Sequence, residues 1–358
     1  MIRLLTGLPR STGVGEFTAQ CARAIGDPVE VYYRRSLTPK QYDSSLDPGR
    51  GIVSEALYYA KIRSQLRSQA DRTHVMWEGF GPVFGKNTQL LSVHHVILPD
   101  DRWAKNSGAP LGKRVAYRIA LHGYRAIAID RPRIIVPSGS TRDALHRGYG
   151  VDEGLIDVVP HAVDTEFYTP GSRIEARKAL ALPADAFIVL RISSDDSRKN
   201  SECVAQIWQG MAPDHGERQL LQVGPSPYLR SLVAAGRLRD IRFLDSVDKV
   251  TLRSLYRAAD VLLHPSFTEG FSFVVLEAMS CGTPAVVSDI TVFREELGCT
   301  FLGAPPTDAP GFIEILRRVR EGSRLQSSVS LRNTIGERFS FVRFRERLLA
   351  VYRRTGLL

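Results

Sequence analysis

The stretch His264-Pro265-Ser266-Phe267-Thr268-Glu269-Gly270-Phe271-Ser272-Phe273-Val274-Val275-Leu276-Glu277-Ala278-Met279-Ser280-Cys281-Gly282-Thr283-Pro284 passes from strand to loop to helix and then stops. The apolar run Val261–His264 suits a buried strand, and Pro265, lacking an N–H for the ladder, ends it. Ser272 is a suitable N-cap for a helix running to about Cys281. Gly282 then falls just past the helix, and Pro284 forbids continuation. Glu269 is thereby a loop residue at a strand's carboxyl end, and Glu277 lies about one and a half turns inside the helix. A carboxylate so placed can accept hydrogen bonds from two neighbouring hydroxyls, as on a ribose. The N–H groups around Phe271–Phe273 meanwhile face any phosphate above them. Glu277 sits among apolar neighbours, which argues against a merely solvated side chain.

The same alternation extends in both directions. Candidate strands are Ile2–Thr6, Val29–Tyr33, His74–Trp77, Gln89–Val93 and Arg133–Pro137, then Phe187–Ile192, Gln219–Val223, Ile241–Leu244, Val261–His264 and Ala285–Ser288. Helical patterns lie between them: Glu16–Ile25, Ser54–Ser68, Lys113–Ala128, Ser140–Tyr149, Ser201–Met211 and Lys249–Ala258. Strands alternating with helices imply βαβ units and parallel sheets. A chain of 358 residues exceeds what one core of roughly 250–300 residues encloses, so two Rossmann-like domains are expected. Pro170-Gly171 marks the connection, giving domains over residues 1–168 and 169–336. Residues 337–358 are expected as a terminal amphipathic helix, with Phe341, Phe344, Leu348 and Val351 near helical spacing.

Composition excludes several classes. Hydrophobic residues are 43% and charged residues 24%, which rules out a largely disordered or collagen-like chain. No apolar run approaches the roughly 20 residues of a membrane span, and Met1–Leu5 meets Gly7 and Arg10 too soon for a secretory core, so a cytoplasmic location is expected. Cys21, Cys203, Cys281 and Cys299 are widely spaced, which fits reduced thiols and neither a disulfide framework nor a zinc site. The formal charge is +10. Residues 1–133 hold 20 Lys and Arg against 11 Asp and Glu, so nearly all of the excess lies there. An anionic partner would meet that half: a membrane-surface glycolipid or glycan, or nucleic acid. Tyr58–Arg72 is too polar for a membrane-binding amphipathic helix.

Other strand ends carry weaker signals. Gly13-Val14-Gly15 opens a helix after strand Ile2–Thr6, where the backbone can approach an anion; taken alone, a tight turn explains it slightly better. His94 follows another strand and is either a donor to substrate or a core histidine. Arg198 and Lys199, at a strand-to-helix junction, offer a fork and a point charge to a diphosphate. The adjacent Asp195 and Asp196 are not set up to hold a metal ion, and no metal is expected.

Read in order, these pieces resemble the retaining nucleotide-sugar glycosyltransferases of the GT-B fold, glycosyltransferase family 4. The specific piece is Pro265–Glu277, with two glutamates eight positions apart. Gly13-Val14-Gly15, Val93-His94, His161–Phe167, Arg198-Lys199-Asn200 and Leu255-Tyr256 surround it. The resemblance implies two Rossmann-like domains facing across a cleft, with the C-terminal helix crossing back to the first. It implies no cofactor and a nucleoside diphosphate sugar as donor, UDP- or GDP-linked. Glu277 is expected on the ribose, and Glu269 and His94 on the sugar. Lys199, Arg198, Arg191, the Gly270, Phe271 and Ser272 backbone and the Gly13–Gly15 loop are expected around the phosphates. Ser194 stands where the family usually has an arginine, with Arg198 or Arg191 as the replacement. The implied reaction is retaining sugar transfer to an acceptor hydroxyl. The rival readings are a degenerate sugar-nucleotide-binding protein and an epimerase on the same fold.

Overall fold

The computed structural model describes residues 2–6, 13–26, 29–33, 73–76, 90–98, 111–193, 196–211, 217–322 and 328–358. The Ser54–Ser68 segment, all of Tyr58–Arg72, Ser194 and Asp195 lie outside the described residues. The chain divides into two compact units: residues 1–162 together with 341–358, and residues 163–340.

The first unit holds a six-stranded parallel sheet of β1 (Ile2–Thr6), β2 (Val29–Tyr33), β3 (Thr73–Val75), β4 (Leu90–Ser92), β5 (Arg133–Val136) and β6 (Ile156–Val158). Their spatial order is β2-β1-β3-β4-β5-β6. On one face lie Ile2, Leu4, Phe17 and Cys21, packed with Phe344, Leu348, Val351 and Tyr352 of the last helix, Phe341–Arg354. That helix is pinned by a polar chain through the core: Tyr352 Oη lies 2.6 Å from His74 Nδ1, and His74 Nε2 lies 2.8 Å from Ser92 Oγ.

The second unit repeats the plan with β7 (Phe187–Ile192), β8 (Arg218–Val223), β9 (Ile241–Leu244), β10 (Val261–His264), β11 (Ala285–Ser288) and β12 (Gly303–Ala304), ordered β12-β11-β10-β7-β8-β9 and all parallel. Ile188, Val189, Leu190, Leu262, Val286 and Val287 are wholly buried, which is why these strands read as continuous apolar runs rather than as alternations. The chain starts mid-sheet at β7, builds outward to β9, then crosses back to β10. Strand order therefore reverses between β7 and β10, and ligands of such sheets bind beyond the carboxyl ends of the two strands flanking that point.

Three expectations meet a different outcome. The division falls at 162/163, not 168/169, because Val163 and Tyr168 are buried in the second unit's core and the Val163 amide bonds Phe339 O. The terminal helix is found over Phe341–Arg354 but starts later than residue 337, because Phe339 ends a separate helix, Ser328–Phe339, that belongs to the other unit. The short strands β6 and β12 carry too few apolar residues for a pattern to find them.

Candidate active site

The exits of β7 and β10 are tied to each other. After β7 the chain turns through a 3₁₀ helix, Ser197–Lys199, whose end is set by Asn200 in the left-handed region at φ +53°. Asparagine tolerates that region, and its Oδ1 accepts from the Cys203 amide at 3.3 Å, capping helix Ser201–Gly210. After β10 the Phe267 amide donates to Arg198 O at 2.9 Å. This bond brings side chains separated by some seventy residues into one cluster. Glu269 Oε1 lies 2.6 Å from Lys199 Nζ and 3.0 Å from His264 Nε2, and Glu269 Oε2 lies 2.5 Å from Arg198 Nη1.

Burial alone would raise the Glu269 carboxyl, but Lys199 and Arg198 outweigh it and hold the group well below the usual range. Lys199 moves down, because burial outweighs its attraction to Glu269. Arg198 moves up: burial lowers it, and Glu269 and Asp196 more than compensate. His264 is pushed down to about 4 by burial and by Lys199, so it is neutral and donates its Nε2 proton to Glu269. The cluster is two buried cations, one carboxylate and one neutral imidazole, an arrangement that can exchange its internal partners for a ligand carrying phosphate and hydroxyl groups.

Helix Phe273–Ser280 opens beside this cluster. Its far end closes as its sequence suggests: Gly282, at φ +83°, donates to Met279 O and Thr283 donates to Ala278 O. Ser272 occupies the N-cap position but its hydroxyl caps nothing. Glu277, on the second turn, accepts from Tyr256 Oη at 2.8 Å. Tyr256 is fully buried and held protonated by burial and by Glu277, so it orients the carboxyl.

Arg191 has a different place from the one expected. Only 1% exposed, it spends its guanidinium on Gln222 Oε1 (2.5 Å), Lys199 O (3.0 Å) and Ser201 Oγ (3.0 Å). It braces the turn that carries Lys199 from beneath, since a β7 side chain on that face points into the helix layer. In the first unit, Gly13, Val14 and Gly15 form the first turn of helix Gly13–Ile25, with Gly15 buried; residues 7–12 lie outside the described residues. His94 is engaged at both ring nitrogens, Nε2 with Met76 O at 2.7 Å and Nδ1 with His161 Nε2 at 3.4 Å, and burial pulls it down to about 4. Phe17 lies edgewise 4.9 Å away, and the residue as a whole is half-buried, not sealed in the core.

Sequence reasoning missed Glu296 of helix Thr291–Leu297, whose Oε1 accepts from the Ser272 amide at 3.4 Å. Its neighbour Glu295 has the same residue type, and only the helix phase sends Glu296 inward. Among the described residues, no three His, Cys, Asp or Glu side chains converge as a metal ion requires, and no helix is long and apolar enough to cross a membrane.

Residues 186–321 match the family described as glycosyl transferases group 1. A D-inositol 3-phosphate glycosyltransferase of Geodermatophilus obscurus is 30% identical over 71% of this chain, which spans 62% of that relative, less than two thirds of it. The protein of the same name from Saccharomonospora viridis is 28% identical over 97% of this chain and 90% of its own length. The solved sucrose-phosphate synthase of Thermosynechococcus elongatus superposes with a TM-score of 0.81 at 21% identity, covering 99% and 98% of the two chains. The chain has the GT-B fold, and over residues 186–321 its second unit carries the glycosyl transferases group 1 pattern.

Proposed function

We propose that this protein is a retaining glycosyltransferase that moves a sugar from a nucleoside diphosphate sugar to an acceptor hydroxyl. The observation that carries the reading is the convergence of Arg198, Lys199, Glu269 and His264 where the strand order of the second sheet reverses, just before the helix that carries Glu277. The family match over that unit supports it.

In this reading Glu277, oriented by Tyr256, takes the ribose hydroxyls. Lys199 and Arg198 leave Glu269 for the diphosphate, joined by the amides of Gly270, Phe271 and Ser272. Glu269, freed of both cations, turns its oxygens to the sugar hydroxyls. Arg191 fixes the Lys199 turn. The leaving phosphate oxygen takes the acceptor proton on the face it departs from, which gives retention without a protein nucleophile. Rate enhancement comes from alignment and from cations aimed at the charge developing on the phosphate. No metal ion is required. The acceptor is anionic, a phosphorylated polyol or a phosphate-bearing lipid headgroup. The basic excess of residues 1–133 supports that, as do relatives named for D-inositol 3-phosphate.

The test is a thermal-shift series with UDP, GDP, ADP, dTDP and CDP on wild type, Glu277→Ala and Lys199→Ala. One nucleotide should stabilise the wild type and neither variant. With the matching sugar donor, Lys199→Ala should lose roughly 10²–10³ in turnover. Stabilisation of wild type by none of the five, or wild-type turnover in both variants, overturns the assignment. Product analysis with soluble polyol phosphates and with anionic vesicles then separates the two acceptor sources, and the anomeric proton coupling of the product decides retention.

A further inference from the structure

Four buried polar atoms without a hydrogen-bond partner lie around the exits of β10 and β11: Ser266 Oγ, Ser272 Oγ, Ser288 Oγ and Glu296 Oε2. Ser266 follows β10 by two residues, Ser288 ends β11, and the pairing of His264 with Val287 sets those exits side by side. Glu296 is the largest of the four groups and is 2% exposed. Its Oε1 is directed at the Ser272 amide, at the N-terminus of helix Phe273–Ser280. That amide is one of those the proposed function gives to the diphosphate.

We propose that Glu296 is a positioning residue of the phosphate site: its carboxyl holds the Ser272 amide when no donor is bound, and yields it to a nucleoside diphosphate only as the neutral acid. The inference rests on the donor reading above. A phosphate taking the Ser272 N–H leaves Glu296 without its one hydrogen bond. An ionised carboxylate there would be buried, unpartnered and beside a second anion. A neutral carboxyl loses only a long hydrogen bond and keeps a proton that it can share with Ser272 Oγ or with the incoming oxygen.

The surroundings favour the neutral form. Glu269 faces Glu296 from the β10 exit, with His264, Arg198 and Lys199 beyond it, and Glu295 adjoins it on its own helix. Arg338, from helix Ser328–Phe339, is the near cation. Its Nη1 and Nη2 go to the backbone oxygens of Glu296 and Glu295 (2.8 and 2.6 Å), not to the carboxyl. Burial first, and the two glutamates after it, hold Glu296 well above the usual carboxyl range. Donor binding is therefore linked to a proton, and above the pKa of Glu296 the affinity falls about tenfold per pH unit.

The experiment measures the dissociation constants of UDP-glucose and GDP-mannose, whose phosphates keep their charge across the range, from pH 6 to 9. It uses wild type, Glu296→Gln and Glu296→Met, with uridine and guanosine as phosphate-free controls. The expected result is weakening with rising pH in wild type, and a flat profile near the wild-type low-pH value in Glu296→Gln. Glu296→Met should raise the melting temperature, by removing a buried acid whose Oε2 has no partner, and should bind with no Glu296-dependent pH slope. Nucleoside affinities should be alike in all three proteins. A wild-type profile flat through pH 9, or the wild-type slope retained in Glu296→Gln, overturns the proposal; a residual slope from Lys199 would be common to all three. If wild type binds neither sugar nucleotide at any pH, the donor reading itself fails. Binding with identical profiles in wild type and Glu296→Gln overturns only the role of Glu296.

Discussion

Glu269 shows how one side chain changes meaning with its neighbours. Alone in a loop it would titrate as any exposed acid; with Arg198 and Lys199 against it the charged form is held, and the folded pKa lies below the unfolded one. Its stabilising contribution is complete above about pH 4.3 and disappears as pH falls through the folded value. Glu269→Gln should therefore flatten the acid limb of melting temperature against pH. It should also cost stability at neutral pH, because two cations remain with no carboxylate between them; breaking such a buried pair costs about 3–5 kcal/mol. Urea denaturation at pH 7 and at pH 3 checks both, and equal losses at the two values would contradict the linkage. Glu296 carries the opposite sign. Its folded pKa is raised, so its contribution is complete below the unfolded value and is lost as pH rises through the folded one.

At the scale of elements, the site depends on how strands end. β8 finishes at Val223 and Gly224 turns away at φ +88°, its α-carbon facing the backbone oxygen of Ser193 at the β7 exit. A Cβ there would collide with that oxygen as well as strain the turn, and the obstacle is backbone, which cannot rotate aside. Gly224→Ala should cost about 2–3 kcal/mol. It should also displace the exit that leads to Arg198 and Lys199, lowering nucleotide affinity along with stability. A variant with wild-type affinity and wild-type urea midpoint would show that the β7 exit tolerates the shift. Arg191 acts on the same element from below, which is why a buried arginine on a strand belongs to the site without facing it.

For the molecule as a whole, the last helix is the feature with the largest energetic consequence. Phe344, Leu348, Val351 and Tyr352 of that helix, with Leu357 just beyond its end, are all buried in the first unit. At about 2 kcal/mol each they contribute on the order of 10 kcal/mol, comparable to the whole stability of a typical domain. Removing residues 341–358 should unfold the first unit, which also loses the partner of His74 Nδ1. The second unit, whose cores include none of those residues, should keep its own transition. Calorimetry of the shortened chain should show that one transition surviving; two intact transitions would mean that the helix adds little.

The alternation of apolar strands with helices, the Pro265–Pro284 passage and the eight-residue spacing of Glu269 and Glu277 were legible along the chain, because each depends on residues close in sequence. Local chemistry dictates where a proline ends a strand, where Gly282 closes a helix and how far Glu277 lies inside it. The tertiary structure decided what depends on distant segments meeting. The reversal of strand order brings Arg198 and Lys199 to Glu269, the phase of helix Thr291–Leu297 sends Glu296 rather than Glu295 to the Ser272 amide, and the core around Phe17 takes both nitrogens of His94. Partners separated by twenty to seventy residues leave no periodicity in the sequence, and whether a buried charge is held or suppressed depends on which of them arrive.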